Sequence, residues 1–384
     1  MYKKFKHLVI NSALLSIFLI TPYANASEIS EYILEPMPSW FTERFTEGQL
    51  DISKMMKDGY TRLESVEIQK QMKDILDNDP FYAKLEESGK TYNMVKNKDS
   101  YILKALETAI KNVKERKISK SGFTYQTLKQ DEFYVVFDLD ETLLVQWYKE
   151  GLKGNKYYDF KVSNVAIDNI IRPKLTSPAY VSLTPGLEKA VKDISKIKGC
   201  KGIIFFSAKL DNATYEVVDN IMLDGKPIRN FLKGLFTRNY LVREQEPTKL
   251  SKDLRFIDES LQHVIIIDDN PTRILDKQKK NLREFPKYNP DEYLQAKNET
   301  HNKTITNYFE KLLPIVVGEI RETAEYSHKN KMSFIDAYYP YSMDGEAEVL
   351  MLMKQGYSMK EAGEMLRKTP DIFDPKFFFY QEKK

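Results

Sequence analysis

The sequence predicts an α/β fold built on a central parallel sheet, and three observations predict it. Residues 134–137, 202–206 and 264–267 are short apolar runs without alternation, as expected of strands buried on both faces. A helical pattern separates the first two: Leu187, Ala190, Val191 and Ile194 recur at helical spacing. Each run also ends in polar chemistry, at Asp138 and Asp140, at Ser207, and at Asp268 and Asp269. In an open α/β sheet the carboxyl ends of the strands are where ligands bind.

Taken in chain order, the amino terminus reads as a secretory leader. Lys3, Lys4, Lys6 and His7 precede an apolar stretch from Leu8 to Ile20, and Pro22 and Ala24-Asn25-Ala26 follow it. A basic start, a short apolar centre and an Ala-x-Ala site predict cleavage after Ala26 and export, to the periplasm or outside the cell of a bacterium. The apolar stretch is too short for a stable membrane span. Residues 27–128 read as a helical extension; Leu106, Ala109, Ile110 and Val113 keep helical spacing.

The run 134–137 is aromatic and β-branched, as strands are. Strand alternation turns Asp138 and Asp140 to the same side at its end. Two adjacent carboxylates repel unless a cation lies between them or one holds a proton. Either arrangement suits phosphoryl transfer, with one carboxylate as nucleophile and the other as acid/base. Residues 157–181 alternate enough for a small β insertion. Thr184-Pro185-Gly186-Leu187 opens the helix that follows, with Pro185 expected in its first turn.

On these residues the chain resembles the haloacid dehalogenase superfamily of aspartate-based phosphatases. Asp138-Leu139-Asp140-Glu141-Thr142 is similar to its first motif, Ser207 to the second, Lys252 to the third, and Asp268-Asp269 to the fourth. Asp-Leu-Asp-Glu-Thr-Leu at 138–143, Thr-Pro-Gly-Leu at 184–187, and Lys252-Asp253-Leu254 with Asp268-Asp269-Asn270-Pro271 place it nearest the branch of the RNA polymerase II C-terminal-domain phosphatases, also called NLI-interacting-factor-like. Lys249 competes for the third motif, and the register to Asp268 favours Lys252. The branch usually has Asp-Asn where this chain has Asp268-Asp269.

The resemblance implies a Rossmann-like core over residues 129–282 and a role for each residue. Asp138 is the nucleophile and Asp140 the general acid/base. Lys252 and Ser207 stabilise the transferring group; Ala208 and Thr142 join them in binding phosphate. Mg²⁺ is held by Asp138, the Asp140 main-chain carbonyl and Asp269, with Asp268 a ligand or the residue that orients Lys252. A phosphoprotein or other large substrate is expected, because the segments between motifs leave little for a lid. Trp147 and Tyr148 are candidates for the entrance or for the core.

Composition narrows the remainder. A chain of 384 residues less a 26-residue leader leaves 358, more than the catalytic core needs. Residues 283–384 therefore form a second helical extension, in which Ser358-Met359-Lys360-Glu361 reads as a capping box after a helix stopped at Gly356. The net charge of +3 does not point to nucleic acid. A single cysteine, Cys200, excludes an internal disulfide. The four histidines are scattered, which disfavours histidine-based phosphatase chemistry and zinc. Two alternatives stay open: an unspecific exported acid phosphatase acting on small esters, and a secreted binding protein with an inactive core.

Overall fold

The computed structural model describes residues 50–78, 98–115, 121–124, 126–148, 158–166, 176–242 and 249–368. The chain divides into two compact units, Met1–Pro36 and Met37–Lys384, and every described residue belongs to the second. The expected leader lies outside the described residues.

Three helices come first: α1 (Ile52–Lys57), α2 (Arg62–Asp77) and α3 (Lys98–Lys114). Thr61 and Glu64 close a capping box at the start of α2, with Thr61 N donating to Glu64 Oε2 at 2.8 Å and Glu64 N to Thr61 Oγ1 at 3.2 Å. Next is β1 (Phe133–Phe137), followed by a three-stranded antiparallel sheet of β2 (Leu144–Trp147), β3 (Phe160–Ala166) and β4 (Thr176–Leu183) in the order β2-β4-β3. This is the expected β insertion.

Helix α4 (Leu187–Ser195) leads to β5 (Cys200–Phe206). Pro185 does not enter the first turn of α4. Gly186 caps the helix at φ 84°, a left-handed conformation that a Cβ disfavours, so the helix begins one residue later, at Leu187. Helix α5 (Asp211–Asp219), a short hairpin of β6 (Met222–Leu223) and β7 (Lys226–Pro227), and β8 (Leu232–Phe236) complete the first half. An irregular stretch rich in 3₁₀ turns then reaches β9 (Val264–Asp268) and β10 (Leu282–Glu284). The helices α6 (Pro290–Asn298), α7 (Lys303–Asn330), α8 (Phe334–Tyr338), α9 (Met343–Lys354) and α10 (Met359–Lys368) end the described chain.

The main sheet is parallel in every pair, in the order β10-β9-β1-β5-β8. The chain leaves β1 toward β5 and β8, then returns to β9 and β10 on the other side. The reversal lies beside β1, where such sheets bind ligands. Strand β10 extends the sheet past residue 282, because its pairing with β9 continues through Glu284 and Asp268.

Both faces of the sheet are covered, which is why its strands do not alternate. Phe133, Val135, Phe137, Ile203, Phe205, Ile265 and Ile267 pack with α4, α5, α7 and α8. The opposite set, Tyr134, Val136, Ile204, Phe206 and Ile266, packs with α1, α2 and α3. The helical segments on either side of the core are thus its two flanking layers.

Candidate active site

The backbone ladder brings four chain segments to one rim. Asp138 N donates to Ile267 O and Ser207 N to Phe236 O, both at 2.9 Å, so each strand end is registered against its neighbour. After Asp138 the chain turns sharply. Glu141 takes φ 64°, and the amides of Leu143 and Leu144 both donate to Leu139 O at 2.9 Å. Lys252 comes from the irregular stretch, fixed by Lys252 N donating to Arg273 O at 2.7 Å.

At the centre Lys252 Nζ donates to Asp138 Oδ1 at 2.5 Å and to Asp268 Oδ2 at 2.7 Å. All three side chains are buried, Lys252 and Asp268 to 1% exposure. Burial opposes the ammonium charge, but Asp138 and Asp268 outweigh it and hold the Lys252 pKa above its ordinary value. Burial pushes the Asp138 carboxyl up; Lys252 opposes this, and Asp268 and Asp140 add to it. Lys249 makes none of these contacts; Lys252 is the lysine brought to Asp138.

Asp140 is held from two sides. Ser207 Oγ donates to Asp140 Oδ2 at 3.0 Å and in turn accepts from Lys209 N at 3.0 Å, while the Lys209 ammonium pairs with the other carboxylate oxygen. Ala208 lines the cleft, and its carbonyl accepts from Arg238 Nε at 2.8 Å.

Thr142, grouped above with the phosphate contacts, sits elsewhere. It is fully buried. Its hydroxyl donates to Asp269 Oδ1 at 3.0 Å and accepts from Asp269 N at 3.1 Å. A hydroxyl engaged as both donor and acceptor by one residue fixes that residue, so Thr142 orients Asp269.

The carboxylates of Asp138, Asp268 and Asp269 each offer an oxygen within 4.8 Å of the others. Three ionised carboxylates against the single Lys252 ammonium leave two negative charges, the charge of one divalent cation. Hard oxygen donors in that number fit Mg²⁺, which keeps several waters besides its protein ligands. Burial first, then Asp268 and Glu141 against the Thr142 bond, push the Asp269 carboxyl up to about 6.

Asp138, Asp140, Lys252, Asp268 and Asp269 line an open cleft of about 320 Å³, whose lining includes neither Thr142 nor Ser207. Tyr148 borders it; Trp147 is not among the lining residues, and pairs with Tyr180 in the small sheet. Three cations of the lining were not found by sequence reasoning: Lys209, Arg238 and Arg273. Lys209 follows Ser207 by two residues on the same turn, a signal that was available. Arg238 and Arg273 reach the cleft through turns that no local pattern announces.

Residues 133–318 match the family model described as NLI interacting factor-like phosphatase. Two solved structures are similar at low identity. One is Fcp1, an essential RNA polymerase II CTD phosphatase: 15% identity over 62% of this chain and 64% of that one, TM-score 0.32. The other is fission yeast Fcp1 bound to beryllium fluoride: 14% identity over 69% of each chain, TM-score 0.32. This chain therefore spans about two thirds of the length of those proteins. No curated protein matches it. The matched segment carries the entire five-stranded sheet and all the candidate residues, and it belongs to the NLI interacting factor-like phosphatase family, of the haloacid dehalogenase type.

Proposed function

We propose that the chain is an exported phosphomonoesterase that works through an aspartyl phosphate on Asp138, with phosphoprotein or another large phosphorylated molecule as substrate. The observation that carries this reading is the buried contact of Asp138 with Lys252, beside an Asp140 that Ser207 holds on the same rim.

Lys252 keeps a positive charge next to the nucleophile, where a phosphate dianion would otherwise be repelled. An Asp138 oxygen bonds to phosphorus as the ester oxygen leaves, and Asp140 gives that oxygen its proton. Asp140 then takes a proton from the water that attacks the aspartyl phosphate, releasing inorganic phosphate and restoring Asp138. Ser207 fixes Asp140 for both transfers. Asp138, Asp269 and the Asp140 carbonyl would hold Mg²⁺, which would supply charge neutralisation for the phosphate oxygens. Asp268 keeps Lys252 aimed at Asp138.

The breadth of the substrate is argued from the cleft. It is open, and among the described residues its lining comes from residues 138–273, with none from the helices α1 to α3 or α6 to α10. Export is argued from the leader-like first 26 residues. No described helix is long and apolar enough to cross a membrane.

The test is hydrolysis of p-nitrophenyl phosphate and of a phosphoserine peptide by the chain from Ser27 onward, with Mg²⁺, with EDTA, and as Asp138→Asn. Turnover that needs Mg²⁺, is lost in Asp138→Asn and has the higher kcat/KM on the peptide is expected. Turnover that survives in Asp138→Asn removes the mechanism, and preference for small esters removes the substrate class. Mass spectrometry of exported protein checks cleavage after Ala26.

A further inference from the structure

Helix α2 lies outside the matched segment 133–318, yet it reaches both turns that carry the catalytic groups. Arg62, Gln69 and Lys70 are spaced i, i+7, i+8, which puts them on one face. All three are buried, at 7%, 1% and 1% exposure.

At one end, Arg62 Nη1 donates to Asp253 Oδ2 at 3.2 Å. Asp253 is fully buried, directly follows Lys252, and also accepts from Arg255 Nε at 2.9 Å and Gln278 Nε2 at 2.7 Å. Further along, Lys70 Nζ donates to Asp211 Oδ2 at 2.9 Å and to Asp74 Oδ2 at 2.8 Å. Asp211 opens α5, just after the turn bearing Ser207 and Lys209, and its other oxygen accepts from the Thr237 hydroxyl and from Asn239 Nδ2. Those two residues flank Arg238. Gln69 Nε2 donates to the carbonyls of Asn239 and Leu241 at 3.3 and 3.4 Å.

We propose that α2 is a positioning element of the active site: Lys70, through Asp211, sets the turns bearing Ser207 and Arg238, and Arg62, through Asp253, sets the segment bearing Lys252. The inference rests on the phosphatase reading for its kinetic consequence and on geometry alone for its structural one. Apolar packing against Tyr240 and Phe256 would hold a helix here without charges. Buried ion pairs add little net stability over such packing, but they fix geometry. Misplacing a catalytic group by about 1 Å can cost about a hundredfold in rate.

The test compares Lys70→Met, Lys70→Met with Asp211→Asn, Asp74→Asn and Arg62→Met in the chain from Ser27 onward. Hydrogen–deuterium exchange and the separate kcat and KM for p-nitrophenyl phosphate are the readouts. Lys70→Met is expected to speed exchange at 207–211 and 237–242 but not at 249–256. It should lower kcat about tenfold or more and change KM less than about twofold. The double variant breaks the same pair from both ends and should lose no more than Lys70→Met alone. Asp74→Asn, which leaves the bond to Asp211, should stay within about twofold. Arg62→Met should speed exchange at 249–256 instead.

A folded Lys70→Met with unchanged exchange at 207–211 overturns the proposal, as does a kcat loss in the double variant well beyond that of Lys70→Met alone. If Lys70→Met does not fold, Asp211→Asn, which removes the charge attraction and keeps the side-chain shape, is scored the same way. If the unsubstituted chain hydrolyses no ester, the phosphatase reading fails and the exchange pattern alone decides the role of α2.

Discussion

At Asp269 the proposed Mg²⁺ site and a pH dependence meet in one carboxyl. The branch that this sequence resembles usually has an amide at that position, and the carboxylate adds charge to a cluster that already includes Asp138 and Asp268. Its pKa of about 6 in the folded chain exceeds the roughly 3.9 of an unfolded aspartate. The folded form therefore holds a proton that the unfolded form has released between those values. That contribution is complete below about pH 4 and lost as the pH rises through about 6. Because the carboxyl is only partly buried, screening leaves the effect at about 1 kcal/mol. Without metal, Asp269→Asn should therefore melt about 1–2 °C above the parent at pH 7.5, and the gap should close near pH 4. Added Mg²⁺ favours the carboxylate and should reverse the order at pH 7.5, with affinity for the ion falling below pH 6. Thermal melts across pH with EDTA and with Mg²⁺ check this, and parallel curves for the two proteins would remove Asp269 from the cluster's titration. At saturating Mg²⁺ the amide, still an oxygen ligand, should keep turnover.

Among the elements, the hairpin of α9 and α10 has the sharpest local requirement. Gly345 lies in the first turn of α9 against the 339–341 turn, and a Cβ there would stand 1.8 Å from Tyr339 O. Gly345→Ala must push the helix off that turn, and a cost of about 3 kcal/mol is expected from forced repacking. Limited proteolysis should then cut after α8, while hydrolysis at the cleft persists, since none of this hairpin lines it. The hairpin itself was legible: Ser358 and Glu361 make the capping box, with Ser358 N donating to Glu361 Oε2 at 2.8 Å, and Gly356 turns at φ 100°. So were β1, β5 and β9, because burial on both faces writes a continuous apolar run. Strand β8 was not: its sequence Leu-Lys-Gly-Leu-Phe mixes a charge and a glycine, and its identity comes from pairing with β5. The same holds within the cleft. Asp138, Ser207 and Asp268 end recognisable strands, whereas Arg238 and Arg273 stand on 3₁₀ turns placed by contacts distant in sequence. Thr142 was legible as a motif residue but not in its role, which depends on Asp269, 127 residues away.

For the whole molecule, helices α1 to α3, α7 and α8 pack directly on the catalytic sheet within one compact unit, so their stability and the activity should be lost together, unlike that of the α9–α10 hairpin. The clearest link is aromatic. Phe334 of α8 stacks on Phe133, the first residue of β1, with ring centroids 3.8 Å apart and planes 13° from parallel, and both rings are fully buried. Phe133 begins the strand that delivers Asp138 to the rim. From the other side, Tyr134 meets Phe123 edge-on at 5.6 Å. The strand at the centre of the sheet is thus packed by side chains from both flanking layers, one before the matched segment and one after it. Phe334→Ala removes a ring where no neighbour can fill the space cheaply, and should lower the unfolding free energy by about 3–5 kcal/mol. Because the layers are continuous, that loss should appear as one shifted transition, with near-UV ellipticity and turnover disappearing together on heating. Were the C-terminal helices a separable attachment, Phe334→Ala would release them first, and turnover would outlast the early change in ellipticity. Coincident loss would mean instead that a fold able to place Asp138 against Lys252 requires residues well beyond the strands that bear them.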